Sequence, residues 1–226
     1  NGWQEKGTAL GYRHDSTYAQ NQPAEANPFT TINKQHFVEW FSGKQLPSYW
    51  SQENTAGTGT FAMVDAVDEG FSITTTSGTS NRNTITFNQI DPFAYDGSVF
   101  IAVARRVTSA NAGLNLGFSQ DDDFTIATGQ SWAVINEDTA TGTHKALQTR
   151  DGSNHSQILS SVPINTSWTN YKLVLSSDAK LYINGNLEIT KTLNLPIVKL
   201  QPAVRSISRA SNTSEIRVRY LEAYNT

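Results

Sequence analysis

From residue 60 to its end the chain never sustains the apolar repeat of a helix; it breaks every few residues into β-prone runs ended by Gly, Asn or Asp. Short runs at such spacing predict an antiparallel all-β domain without a long helix. The predicted strands cover 60–64, 70–76, 84–90, 98–107, 114–118, 131–136, 145–150, 157–162, 168–176, 180–190 with a turn inside it, 200–207 and 214–224. The turn is specified by chemistry: Asn184-Gly185 lies between Leu181-Tyr182-Ile183 and Leu187-Glu188-Ile189. A type I′ hairpin turn needs positive φ at both central positions, and Asn-Gly meets that need.

Successive strand side chains point to opposite faces, so alternation assigns a core side. It predicts a core face of Val99, Ile101 and Val103 and another of Tyr171, Leu173 and Leu175, with Trp168 also in the core. Near the C-terminus Ile216, Val218 and Tyr220 are expected on one face, with Arg217 and Arg219 on a wet one. No fixed-period repeat is present, which excludes a solenoid or propeller.

At 226 residues, 37% hydrophobic and 16% charged, the chain suits one large lightly charged globular domain. A formal net charge of -3 provides no basic field for phosphate, so nucleic acid is not an expected partner. With no cysteine, disulfides, thiolate metal sites and a cysteine nucleophile are excluded together. No apolar stretch reaches the roughly 18 residues of a membrane-spanning helix. The chain begins at Asn1 rather than Met, which suits removal of a leader and an extracellular location. Residues 1–31 lack either periodicity and read as an N-terminal arm ahead of a domain over 32–226. Trp3, Tyr12 and Tyr18 in the arm are candidates for capping the domain end or docking on a neighbouring subunit in a homo-oligomer.

The second half resembles the concanavalin A-like lectin/glucanase superfamily, a jelly-roll sandwich of two antiparallel sheets that also serves many phage and environmental-virus surface proteins. The resemblance rests on Trp168-Thr-Asn-Tyr171-Lys-Leu173-Val-Leu175, then Leu181-Tyr-Ile-Asn184-Gly185-Asn-Leu-Glu-Ile-Thr, then Leu195-Pro196, Leu200-Gln-Pro202-Ala-Val204 and the closing 216–224 strand. Phe41-Ser-Gly43 through Leu46 to Trp50, with Glu69-Gly70-Phe71-Ser-Ile73, looks like the opening strands of the same sandwich. Fold likeness does not carry activity by itself.

The glucanase branch implies alternating carboxylates on one strand, serving as acid and nucleophile. No Glu-x-Asp-x-x-Glu run exists here, and 98–107 offers Arg105 and Arg106 instead. His14, His36, His144 and His155 lack metal-ligand spacing, and no serine sits in Gly-x-Ser-x-Gly. The expected function is therefore non-enzymatic: a structural or adhesive surface module of a virion, appendage or cell envelope. A dedicated carbohydrate-binding domain and a divergent polysaccharide hydrolase or lyase are the alternatives. Its expected partners are a glycan or neighbouring structural subunits.

Sugars lay apolar C–H faces on aromatic rings while planar polar groups fix their hydroxyls. Trp132, Tyr95, Asn111, Asn115 and Asp151 are candidates for those roles; core packing or turn formation is the other reading of each. Asp121-Asp122-Asp123 offers hard oxygen ligands for calcium, against the reading of a solvated acidic turn, and no other cofactor is expected. Three glycosylation sequons, at Asn154, Asn165 and Asn212, fall in predicted loops.

Overall fold

The structure, a computed structural model, describes residues 35–42, 45–64, 70–87, 92–121, 124 and 129–226. The arm with Trp3, Tyr12 and Tyr18, together with Asp122 and Asp123, lies outside the described residues.

Fifteen strands carry the described chain, with no helix among them. They are β1 His36–Glu39, β2 Ser51–Ala56, β3 Gly59–Met63, β4 Phe71–Thr75, β5 Arg82–Thr86, β6 Ser98–Arg106, β7 Ala112–Ser119 and β8 Gln130–Asp138. After these come β9 His144–Gly152, β10 His155–Pro163, β11 Thr169–Leu175, β12 Ala179–Ile183, β13 Asn186–Lys191, β14 Gln201–Ser208 and β15 Ser214–Asn225. One sheet runs β13-β12-β11-β6-β15-β4-β3, with β1 added beside β15; the other runs β10-β9-β8-β7-β14-β5-β2. Neighbours in sequence are often distant in the sheet, as where β14 threads between β7 and β5, so most pairings close long loops.

The predicted turn is present: Asn184 and Gly185 have φ of 50° and 87°, and they join β12 to β13. Pro202 lies in a central strand without costing a sheet bond on the β5 side. It stands opposite Phe118 of β7, and β5 begins pairing with β14 only at Ala203.

Between the sheets Tyr171, Leu173 and Leu175 are buried as expected. Strand β6 is phased the other way: Phe100, Ala102 and Ala104 enter the core while Ile101 and Val103 face outward, half-buried, on the same side as Val99. Both sides of β6 are apolar, and the bulk of Phe100 decides between them. Its ring meets Phe118 of the opposite sheet with centroids 5.6 Å apart. Trp168 is likewise outside the core, half-buried on the outer side of the eight-stranded sheet. Arg105 and Arg219 stack against it at 4.9 and 4.3 Å from the ring centroid, which covers an aromatic surface with guanidinium groups instead of apolar neighbours.

Strand β15 keeps the expected phase only to Val218. A register irregularity between Val218 and Tyr220 inserts Arg219, after which Leu221 and Ala223 point inward and Tyr220 outward. In a continuous strand Tyr220 would have joined Ile216 and Val218 in the core.

A buried polar group ties the sheets together. Lys145 of β9 donates to Glu137 of β8 at 2.5 Å and to the Tyr171 hydroxyl of β11 at 2.9 Å, and Tyr171 donates to the same Glu137 oxygen. Arg106 of β6 stands 3.5 Å from the other carboxylate oxygen, an ion pair without hydrogen-bond alignment. Two cations thus share one anion away from water. Burial pushes the Lys145 amine below its usual range, opposed by the attraction of Glu137.

Candidate functional site

The outer face of the seven-stranded sheet gathers most of its unusual polar side chains. Directly opposed residues of antiparallel strands share a face, so the register lays out its rows. One row crosses the sheet as Leu159, Ala146, Asn136, Asn115, Arg205, Thr84 and Glu53, from β10 to β2. The next reads Gln157, Gln148, Val134, Gly117, Ala203, Thr86 and Ser51, and a third reads His155, Arg150, Trp132, Ser119 and Gln201. The middle row has a low floor: Gly117 has no side chain, and a Cβ there would meet the Ala133 carbonyl at 2.5 Å.

The amides and the arginine interlock. Asn115 donates through Nδ2 to Asn136 Oδ1 at 2.6 Å, while its own Oδ1 accepts from Arg205 Nη2 and Nε at 2.7 and 3.1 Å. The Arg205 guanidinium lies 4.9 Å from the centroid of Phe124, which packs with Trp132, Val134 and Ala203. Phe124 therefore covers the centre of the face. At the β9–β10 margin Gln148 donates to Gln157 at 2.5 Å, and both side chains reach solvent.

Two buried groups on this face are left over. Neither amide atom of Gln201 nor the hydroxyl of Thr84 has a hydrogen-bond partner among the described residues, and both residues are fully buried. Such groups cost about 1–3 kcal/mol each when unpaired, so they mark places where a polar ligand atom or water is wanted.

Among the described residues few carboxylates stand on or beside the face: Asp121, just past β7, accepts from Gln130, and Glu53 and Asp138 lie further off. Glu53 sits on the far edge strand and accepts from Ser51 at 3.0 Å. Asp138 ends β8 and is held by Arg209 Nε at 2.9 Å. Four inter-strand spacings of about 4.8 Å separate β8 from β2, so these two stand about 19 Å or more apart. That exceeds the roughly 5–10 Å over which a carboxylate pair cleaves a glycosidic bond.

No protein-family model and no curated protein sequence matches the chain. Solved structures do. A β-glucanase of Bacillus licheniformis superposes with a TM-score of 0.62 at 13% identity, over 85% of this chain and 98% of that one. A pseudo β-1,3-glucanase and immunostimulatory antigen of Mycobacterium tuberculosis gives 0.60 at 10% identity, over 84% and 98%. The carbohydrate recognition domain of Emp47p gives 0.57 at 12% identity, over 84% and 94%. The fold is the concanavalin A-like jelly roll.

Within this jelly roll the sequence-derived candidates separate. Asn115 and Trp132 come together on the outer face, although Trp132 is only 2% exposed. Tyr95 packs against the main core ahead of β6, its hydroxyl buried and pushed up to about 12 by burial and by Asp96 and Asp178. Asn111, with φ of 50°, turns the chain into β7, its carbonyl accepting from the Arg209 amide at 2.7 Å. Asp151 closes the β9–β10 turn by accepting from the Ser153 and Asn154 amides at 2.9 and 2.7 Å, which holds its carboxyl below the usual range. These three serve packing and turns. Asp121 is exposed and accepts from Gln130, and no cluster of three metal-ligating side chains exists among the described residues.

Asn136, Arg205, Gln201 and Gln148 were not among the candidates. A signal for Arg205 was present: it interrupts the apolar stretch Ala203-Val204-Arg205-Ser206-Ile207 within a predicted strand. Asn136 likewise ends the alternation begun by Trp132 and Val134.

Proposed function

We propose that this chain is a non-enzymatic carbohydrate-binding module that holds a glycan on the outer face of its seven-stranded sheet. The observation that carries the reading is the continuous polar row of Asn136, Asn115 and Arg205 beside the unpartnered Gln201 amide and Thr84 hydroxyl. Planar amides donate and accept at once, which suits vicinal hydroxyls. The glycan enters at the half-buried Gln148 and the exposed Gln157 and reaches the buried centre once Phe124 leaves Arg205. The names of the similar structures, a carbohydrate recognition domain and two glucanase-type proteins, support a saccharide as the ligand class. The wide separation of Glu53 from Asp138 supports binding over cleavage.

A glycan array followed by calorimetry on the best ligand tests this reading. Gln148→Ala removes accessible hydrogen bonds of about 0.5–1.5 kcal/mol each, so Kd should rise about threefold to tenfold without loss of stability. Phe124→Ala should tighten binding. Ligands that release new reducing ends on incubation, or affinity indifferent to both substitutions, would overturn the proposal.

A further inference from the structure

Away from the polar face, one buried amine lacks the countercharge that burial normally demands. Lys191 ends β13 opposite Ala179 of β12 and is only 3% exposed. A buried ammonium is ordinarily paired with a carboxylate. The acids of the flanking strands are engaged elsewhere: Glu188 accepts from the Ser161 hydroxyl at 2.6 Å, and Asp178 is held by Ser176 and Lys180 at 3.0 and 2.9 Å. The partner of the Lys191 amine is a hydroxyl instead, Ser156 Oγ of β10 at 2.6 Å. Removal from water holds this amine below the usual lysine range, because desolvation disfavours the charged form.

Ser156 itself is half-buried, so the pair is closed at the amine and open at the serine. A second donor converges on the same oxygen: Asn194 Nδ2 stands 3.0 Å from Ser156 Oγ. Asn194 takes a φ of 55°, which asparagine tolerates better than most residues. The chain before it is tied down by Thr149, which stands opposite Ser156 in β9 and donates to the Leu193 carbonyl at 2.9 Å. Alternation puts Ile158 on the same side of β10 as Ser156. Ile158 and Leu193 are 39% and 68% exposed, so the hydroxyl is bordered by apolar surface that reaches solvent.

We infer that Ser156 is an acyl-acceptor site, in which Lys191 is the base that activates the serine hydroxyl towards an aliphatic ester. A serine is a weak nucleophile until a base within hydrogen-bond reach takes its proton, and a neutral lysine amine can be that base. As Ser156 Oγ bonds to the carbonyl carbon, its proton passes to Lys191 Nζ. The bond from that carbon to the ester oxygen then breaks, and the departing alcohol carries the proton away. One ester and one serine give one seryl ester and one alcohol, with nothing oxidised or reduced. The Asn194 amide is placed to donate to the carbonyl oxygen as charge gathers there. Ile158 and Leu193 receive the acyl chain. No glycosidic bond takes part, and Ser156 points to the side of β10 opposite Gln157, so the reaction is separate from glycan binding.

The whole chain incubated with p-nitrophenyl butyrate at pH 8, quenched in acid and weighed by intact-mass spectrometry, tests the inference. One butyryl group per chain is expected, located at Ser156 by peptide fragmentation. Ser156→Ala should take no label there or elsewhere at a comparable rate. Lys191→Met should be labelled about 100-fold more slowly with an unchanged circular dichroism spectrum, the low end of what a positioned base contributes. In the wild type the labelling rate should rise with pH and level off below 10.5, the ordinary value for lysine. Leu193→Ser, at an exposed position, should slow labelling by the octanoate ester more than by the acetate. A chain that gains no label, or gains it as fast in Ser156→Ala, overturns the inference. So does a rate that climbs through pH 10.5 without levelling, since Lys191 would then not be the base.

Discussion

Side-chain volume, not alternation, chose the inward side of β6. Val99, Ile101 and Val103 alternate as cleanly as Phe100, Ala102 and Ala104, and only the large ring of Phe100 fills the space against Phe118. Phe100→Ala should therefore cost about 3–5 kcal/mol in urea melts, as for other large-to-small core changes. Trp168→Ala should cost only about 1–2 kcal/mol, since two cation–π contacts at a half-exposed site are worth about 0.5–1 each. The reverse order would return Trp168 to the core. The buried Lys145 gives a pH test. Its folded pKa lies below the unfolded value of 10.5, so at low pH both states are protonated and the cost of burying the charge is fully present. As pH climbs through the folded value towards 10.5 the native state releases its proton first, and stability rises. Lys145→Met should lessen that rise, leaving the part that the buried Lys191 amine contributes in the same direction. Tyr95, pushed up to about 12, acts in the opposite direction above pH 10, so the difference between the two proteins is the quantity to measure. Equal slopes in chemical denaturation from pH 7 to pH 10 would contradict the buried-amine assignment.

At the scale of elements, the interior strands and the Asn184-Gly185 hairpin were legible because turn chemistry and apolar alternation agree there. Two strands were not. Strand β2 reads Ser-Gln-Glu-Asn-Thr-Ala, an edge strand with almost no apolar residue to signal it, and β1 has only four residues. Both take their place from partners distant in sequence, β5 and β15, which local pattern does not reveal. The irregularity at Arg219 escaped notice for the same reason: nothing in Val218-Arg219-Tyr220 states that β6 pairs one residue short. Glycines separate local from tertiary demands in a measurable way. At Gly185 an added Cβ meets nothing within 4 Å, so Gly185→Ala pays only for positive φ, about 1–2 kcal/mol. At Gly117, with φ of 149°, the Cβ would also stand 2.5 Å from the Ala133 carbonyl and 3.0 Å from Val134 Cα. Gly117→Ala should thus cost clearly more in the same melts; equal costs would mean that β7 and β8 part easily at the floor of the site.

Across the whole molecule the fold was readable while the candidate site was only half so. The jelly roll follows from many runs that each state the same class. A binding face depends on which strands lie side by side, and β7, β8 and β14 are brought together by a topology no local pattern encodes. Asn115 and Trp132 were chosen by residue type and do share that face; Tyr95, Asn111 and Asp151 are of the same types and do not. The proposed saccharide site lies at Asn115, Asn136 and Gln201 beside Trp132. The most direct measurement is a nuclear magnetic resonance titration of the nitrogen-labelled chain with the best array ligand, following indole and side-chain amide signals. Saturable shifts of the Trp132 indole and of the Asn115, Asn136, Gln148 and Gln201 amides are expected, with the Trp50 and Trp168 indoles unmoved. Shifts centred on Trp168 or Trp40, on the outer side of the other sheet, would contradict it.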